Sequence, residues 1–542
     1  MDTTPATSTP HALFARAAQF PDAPAYHTKV GDSWKGYTWA EFAGLVRSAA
    51  KGLIALGFEP LAKTCILSNT RLEVSYIVNH SESTVIFVED RAQFAKVEAE
   101  KEHLPLLKHV IIFNGETAES PLAMSWGDFL GRGAGVADDD VEKRLNALEP
   151  TQCASMIYTS GTTGPPKAVM LSHSNLSWTA STASQVFQAQ AGDCCVAFLP
   201  LSHIAEQMFT IHIPPVSGHQ VYFNESLEKL VPTLKEIQPT LLFSPPRIYE
   251  KLNLALASKL PPGAKPDQLP VEVKKSLIEA VGLSRARWAV VGAAPISPDV
   301  LRFFAGLGLT IWEVYGQSED SGPTSCNVPG KVKLGSAGPP FPGVEVAIAE
   351  DGEVLVRGPN VFLGYYKDQA ATEATLKDGW LYSGDLGRID EEGFLHITGR
   401  KKDIIITAGG KNITPANIEH AIKAHPLIGE AIVIGDRRPY LVALVTLDAD
   451  VAAVKAKEKG VTPAEFAADA GVRALIEAHI ETVNADLAQV ETVKRFSVLP
   501  HPFALERGEV TPTMKLKRNV IHSNYAAEID AIYAQPFTRA DA

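Results

Sequence analysis

Along most of the chain, short apolar runs alternate with stretches whose apolar residues recur at helical spacing. Leu227, Leu230, Val231, Leu234 and Ile237 share one helical face, and Gln238-Pro239 ends that stretch. Leu241–Phe243 then predicts a brief buried strand ahead of Ser244-Pro245-Pro246. The same strand-to-loop step recurs at Trp288–Val291 before Gly292, and at Thr310–Val314 before Tyr315-Gly316. Such alternation predicts an α/β fold with largely parallel sheets. Ligands of open α/β sheets sit beyond the carboxyl ends of the strands, so the loops after these strands are where chemistry is expected.

The texture changes after Gly384-Asp385. Residues 387–398 read as a hairpin turning at Asp390–Gly393, followed by the charged link Gly399-Arg400-Lys401-Lys402-Asp403. Beyond it, strands are expected near Asp403–Thr407, Glu430–Gly435 and Tyr440–Leu447. Thr414 is expected to cap a helix that has Pro415 at its first position, where a missing N–H costs nothing. A chain of 542 residues exceeds what one core usually supports. The division expected is a large N-terminal domain over residues 1–400, built of several subdomains with parallel-rich sheets, and a small mobile α+β domain over 401–542.

Composition narrows the class. Hydrophobic residues at 45% and charged residues at 21% suit a folded globular protein. The net charge of −12 repels nucleic acid, so an anionic ligand must be met by local cations or backbone N–H groups. The cysteines (Cys65, Cys153, Cys194, Cys195, Cys326) show no metal or redox spacing and read as reduced packing residues. No basic-then-apolar leader opens the sequence and no apolar run reaches spanning length, which predicts a cytoplasmic protein.

The strongest candidate chemistry is Tyr158-Thr159-Ser160-Gly161-Thr162-Thr163-Gly164-Pro165-Pro166-Lys167, directly after the short strand predicted at Ala154–Tyr158. Successive hydroxyls and glycines let backbone N–H groups converge on phosphate oxygens, and Lys167 adds a full charge. A Walker A loop is excluded, because Pro166 precedes the lysine and Ala168 follows it. The stretch resembles the signature loop of adenylate-forming enzymes, in which the loop cradles the β- and γ-phosphates of ATP.

Further stretches resemble that family in its own order. Gly292-Ala293-Ala294-Pro295 offers small side chains for a flat adenine slot. Tyr315-Gly316-Gln317-Ser318-Glu319 resembles the segment whose ring stacks on adenine, whose hydroxyl meets the α-phosphate and whose carboxylate holds Mg²⁺; Ser318 replaces the usual threonine and keeps the hydroxyl. Asp385 and Arg400 resemble the residues that reach the ribose. Leu199–His203 resembles a segment near the acyl and thiol sites, and Thr511–Arg518 the terminal motif in which Lys515 bridges the carboxylate and the α-phosphate. The resemblance thus implies catalytic roles for Lys515, Thr159 and His203, and a weaker one for Glu206. It also implies a hinge at Lys402 and a glycine, Gly409, that meets the pantetheine arm of coenzyme A.

Pro245–Lys251, Gly399–Pro415 and Met514–Arg518 resemble the long-chain fatty acid–CoA ligase branch, and the likeness spans about residues 10–535. The reaction it implies joins a fatty acid to coenzyme A through an acyl adenylate, with ATP, CoA and Mg²⁺ as small-molecule partners. Peripheral membrane contact is compatible with an acid that partitions into lipid, although no amphipathic basic helix announces it. Two other readings fit the same residues: an acyl-AMP ligase that loads a carrier protein, and an inactive binder of AMP or fatty acid. A binder would need neither Glu319 nor Lys515. One departure is substantial. A segment like Cys65–Arg71 nearly abuts one like Val74–Glu82, where the family has a strand, a helix and another strand between them. One β-α-β unit is therefore expected to be lost or rebuilt, because a parallel crossover needs about a dozen residues or more.

Overall fold

The computed structural model describes residues 7–67, 74–115, 119–159, 165–261, 263–511 and 515–534. The chain gathers into two compact units, and neither is one continuous stretch. One comprises residues 1–159, 166–233 and 359–374, and the other residues 160–165, 234–358 and 375–542.

In the first unit, the strands Thr64–Leu67, Val85–Val88, His109–Ile112 and Ala123–Ser125 form a parallel sheet in chain order. Side chains alternate across a strand. Accordingly Ile86, Val88, Val110 and Ile112 enter one apolar cluster, while Val85, Phe87 and Ile111 enter another on the opposite face. Of the two abutting segments, the first contributes the strand Thr64–Leu67 and the second the helix Val74–Ser81, and Thr64 pairs in parallel with Val85 on the next strand. That helix buries Val74 and Val78 in the first cluster. The predicted strand before the signature loop is real, spanning Cys153–Thr159, but it belongs to an antiparallel hairpin with Lys167–Ser172. Gly364–Tyr365 pairs with the hairpin's second strand.

In the second unit, Leu241–Ser244, Trp288–Val291 and Ile311–Tyr315 are parallel neighbours, as their apolar runs predict. The helical stretch ahead of them starts as a 3₁₀ turn at Leu227–Lys229 in the first unit and continues as the α-helix Leu230–Ile237. The predicted hairpin is present, with Ile389 opposite Leu395. Further on, Ile428–Ile434, Leu441–Leu447 and Val493–Leu499 form a three-stranded sheet. Its middle strand is buried at every position because both faces are covered: Leu441, Ala443 and Val445 enter one core, Val442 and Leu444 the other. This explains an unbroken apolar run where a one-sided strand would alternate. The strand expected near Asp403–Thr407 shrinks to Ile405–Ile406, since a 3₁₀ turn takes Lys401–Asp403. Thr414 stands at the N-cap of Pro415–Lys423 but makes no side-chain capping bond. Its methyl lies against Gly399 instead, where an added Cβ would approach it to 2.2 Å.

Candidate active site

The second unit brings the predicted nucleotide residues together. Tyr315 ends its strand and donates its hydroxyl to Asp385 at 2.8 Å. Arg400, directly across the hairpin from Asp385, places Nε 2.9 Å from the other carboxylate oxygen. Asp385 is only 5% exposed. Its turn is held by Ser383, whose hydroxyl accepts the Asp385 N–H, and by Glu353, which accepts the Gly384 N–H. A carboxylate offers about four lone-pair positions, so two remain for a ribose diol. Burial, with Asp385 and Asp320 beside it, pushes the Tyr315 phenol well above its ordinary value, so it stays a donor.

Glu319 lies in the Ser318–Asp320 turn just beyond this strand. Gly316 is fixed by that turn, because a Cβ there would fall 1.4 Å from the Gly322 carbonyl oxygen. Gly292 follows the neighbouring strand, where a Cβ would press on Val314, and Ala293 adopts a left-handed φ of 68°. The slots Gly292–Ala294 and Gly316–Ser318 therefore leave adjacent parallel strands at the same end, as expected of an α/β ligand site.

Lys515 joins this group. It keeps contact with solvent, yet enclosure by protein, followed by the Arg400 charge, lowers its ammonium pKa, while Asp385 and Glu319 act to raise it. The Asp385 charge, chiefly, raises Arg400. The lysine backbone is pinned by Thr511, whose hydroxyl accepts the Lys515 N–H at 3.0 Å. Arg518 serves as an anchor: it pairs with Glu419, donates to the Val433 carbonyl at 3.2 Å and lies 4.0 Å from Asp403. Among the described residues no cluster of three metal-ligating side chains occurs.

Lys402 sits between two tethered neighbours. Lys401 binds Asp351 and Glu353 at 2.5 and 2.8 Å, and Asp403 faces Arg518. Gly409 has an open Cα, with nothing closer to an added Cβ than the Thr407 hydroxyl at 3.9 Å. No contact around it in this arrangement requires a glycine.

Thr159, Lys167, His203 and Glu206 belong to the first unit. Thr159 and Lys167 face each other across the hairpin, and the Lys167 ammonium lies 4.9 Å from the Tyr365 ring centre. Ser160, Gly161, Thr162, Thr163 and Gly164 lie outside the described residues. His203 accepts the Ala205 N–H through Nδ1 and so starts the helix Ile204–Gln207. Glu206 is buried and accepts from the Leu199 N–H and the Thr210 hydroxyl; burial pushes its pKa up to about 7. Sequence reasoning missed Asp320, which is buried and accepts the Gln317 N–H at 2.7 Å, and Glu353, which ties Lys401 to the Asp385 turn. Their sequence signals were slight: an acid beside Glu319, and an acid opening an apolar strand.

Comparison with known proteins gives the family of the chain. The family model for AMP-binding enzymes matches residues 68–366, and that for the AMP-binding enzyme C-terminal domain matches residues 402–536. The chain belongs to the AMP-binding enzyme family. Within it, the chain is 34% identical to the long-chain-fatty-acid–CoA ligase FadD15 of Mycobacterium tuberculosis, covering 96% of both chains. That alignment runs over 586 positions, more than the 542 residues present here, so stretches of the relative have no counterpart. The long-chain-fatty-acid–CoA ligase ACSBG2 of Xenopus laevis is 32% identical over 96% of this AMP-binding enzyme and 83% of its own length. The adenylation domain of a carboxylic acid reductase from Segniliparus rugosus, solved with AMP and a co-purified carboxylic acid, superposes with a TM-score of 0.79 at 18% identity. It covers 97% of this chain and 94% of its own, and shares the fold. All five cysteines are free, and no described helix is long and apolar enough to cross a membrane.

Proposed function

We propose that this AMP-binding enzyme is an ATP-dependent fatty acid–CoA ligase that acts on long-chain acids. The observation that carries the reading is the convergence of Tyr315, Glu319, Asp385, Arg400 and Lys515 within one unit. Relatives named long-chain-fatty-acid–CoA ligases, matched over nearly the whole chain, support the substrate class.

A carboxylate oxygen of the acid attacks the α-phosphorus of ATP, the bond to pyrophosphate breaks, and acyl-AMP remains. Negative charge gathers at the α-phosphate as this occurs, and preorganised donors aimed there lower the barrier. Lys515 supplies a full charge to the reacting oxygens, and Lys167 with the Ser160–Gly164 segment takes the departing phosphates. Asp385 and Arg400 hold the ribose, and the Tyr315 ring, fixed through its hydroxyl, takes the adenine. A lone carboxylate, Glu319, suits Mg²⁺, which keeps several waters and is held largely by substrate phosphates rather than by an all-protein cage. When bound it would neutralise phosphate charge. The coenzyme A thiol then attacks the acyl carbon, and AMP leaves.

The thiol needs surface that Lys515 occupies, so the residues after Arg400 are proposed to move about Lys402. Tethers on both neighbours and the unneeded glycine at position 409 support this. The deciding measurement is pyrophosphate release with ATP and Mg²⁺ across acids of increasing chain length, with and without CoA. Acid-dependent release with acyl-CoA detected by mass supports the reading. Release with no acyl-CoA turns it toward a carrier-loading ligase, and no release with any acid defeats it.

A further inference from the structure

The stretch Pro245–Lys251, whose residues resemble the long-chain branch, has no part in the proposed reaction. It opens the helix Pro246–Ala257, and the two faces of that helix differ. Tyr249, Leu252 and Leu256 are buried. The Tyr249 ring meets Phe304 edge to face, and its hydroxyl donates to the Val290 carbonyl at 3.3 Å. The other face carries Arg247, Glu250 and Lys251, which stand three and four residues apart and so share one side. Seated on the strand Trp288–Val291, the helix is a fixed platform for these charges.

Their partners come from beyond Lys402. Lys251 Nζ lies 2.7 Å from Asp450, which stands in the first turn of the helix Ala449–Lys459, where the helix dipole favours a carboxylate. Asp448 fixes that turn by accepting the Asp450 and Val451 N–H groups. The hydrogen bond from Lys251, and then its charge, lowers the Asp450 carboxyl, and Arg247 adds to this. Glu250 lies within electrostatic reach of the pair Lys423–Glu430, itself closed at 2.8 Å. Burial raises the Glu250 carboxyl, while Lys423 acts to lower it.

These contacts are mechanically joined to Lys515. Lys423 ends the helix Pro415–Lys423, and Glu419 of the same helix holds Arg518, one turn after the lysine. The helix bearing Asp450 packs through Ala452 and Ala456 on one face of the three-stranded sheet, while Leu516 packs on the other. Whatever holds Asp450 and Lys423 therefore holds Lys515 as well. We infer that the charged face formed by Arg247, Glu250 and Lys251 is the docking surface that keeps Lys515 beside Asp385, with Lys251 and Asp450 as its positioning pair. This role rests on the proposed two-step reaction and deepens it: docking favours adenylation, and the thiol step requires these contacts to break.

The test reverses the charges singly and together in the full chain, as Lys251→Glu, Asp450→Lys and the double variant. Both side chains are exposed, so reversal should leave the fold intact. An exposed pair alone is worth little, but reversal turns attraction into repulsion, so each single variant should slow pyrophosphate release about threefold to tenfold. Thioester formation from supplied acyl-AMP should hold or quicken, and the double variant should return to within about twofold of wild type in both steps. A merely structural role would neither split the half-reactions nor be rescued by the swap. Tryptic cleavage after the exposed Lys402, followed by mass, reads the same contact without turnover. It should quicken about threefold or more in each single variant and return to the wild-type rate in the double one. Equal loss in both half-reactions, no rescue in the double variant, or single variants that match wild type in both measurements overturns the inference. If wild type releases no pyrophosphate with any acid but tryptic rates follow the swap, the ligase reading fails and the docking surface stands.

Discussion

Lys515 shows how much a single charge can carry. It is the cation set beside Glu319, Asp385 and Arg400, yet only the first half-reaction builds charge at phosphorus. Lys515→Ala should therefore slow pyrophosphate release roughly 10²–10³-fold while thioester formation from supplied acyl-AMP proceeds. Equal losses in the two half-reactions would show that the lysine acts elsewhere. Glu206 offers a second residue-scale prediction. Burial raises its carboxyl from 4.5 to about 7, so the folded state holds a proton that the unfolded chain has released. Its contribution to stability is complete below about pH 4.5 and is lost as pH rises through 7. His212 and His219, buried neutral at about 4, act in the opposite direction. The comparison must therefore be between wild type and Glu206→Gln, whose Tm advantage over wild type should grow from pH 4.5 to pH 7.5. A constant difference across that range would mean the carboxyl does not titrate there.

At the scale of elements, the site depends on how tightly two turns follow their strands. Gly316 has no room for a methyl group, because the Gly322 carbonyl oxygen occupies that space. Gly316→Ala should cost about 1–3 kcal/mol of stability, read as a lowered Tm, and shift Glu319 enough to abolish most adenylation. A variant with wild-type Tm and activity would show that the turn yields freely. The strands bearing these turns were plain in the sequence because their apolar runs are short and sharply ended. The antiparallel pairing of Cys153–Thr159 was not, since periodicity along a strand says nothing of its neighbour's direction. The capping bond expected of Thr414 failed for a similar reason: a tertiary contact with Gly399 claims the side chain.

For the whole molecule, the issue is movement. Lys402 lies between a residue tied to Asp351 and Glu353 and one facing Arg518, so a change of its backbone angles would swing one group past the other. Lys402→Pro, which fixes φ near −65°, should leave acyl-AMP formation within about twofold and slow its conversion to acyl-CoA tenfold or more. A shift of about 1.4 kcal/mol between two arrangements is enough for a tenfold change. Intact thioester formation in that variant would move the hinge elsewhere. The sequence alone determined the α/β class and singled out the candidate nucleotide residues, because strand periodicity and glycine- or hydroxyl-rich loops are local properties of the chain. Which of those residues meet was decided only in three dimensions. Asp385 and Arg400 pair because a hairpin sets them opposite, and Tyr315 reaches them across 70 residues of chain. Asp320 and Glu353 left only slight signals in the sequence, since a buried acid takes its role from what folding packs against it.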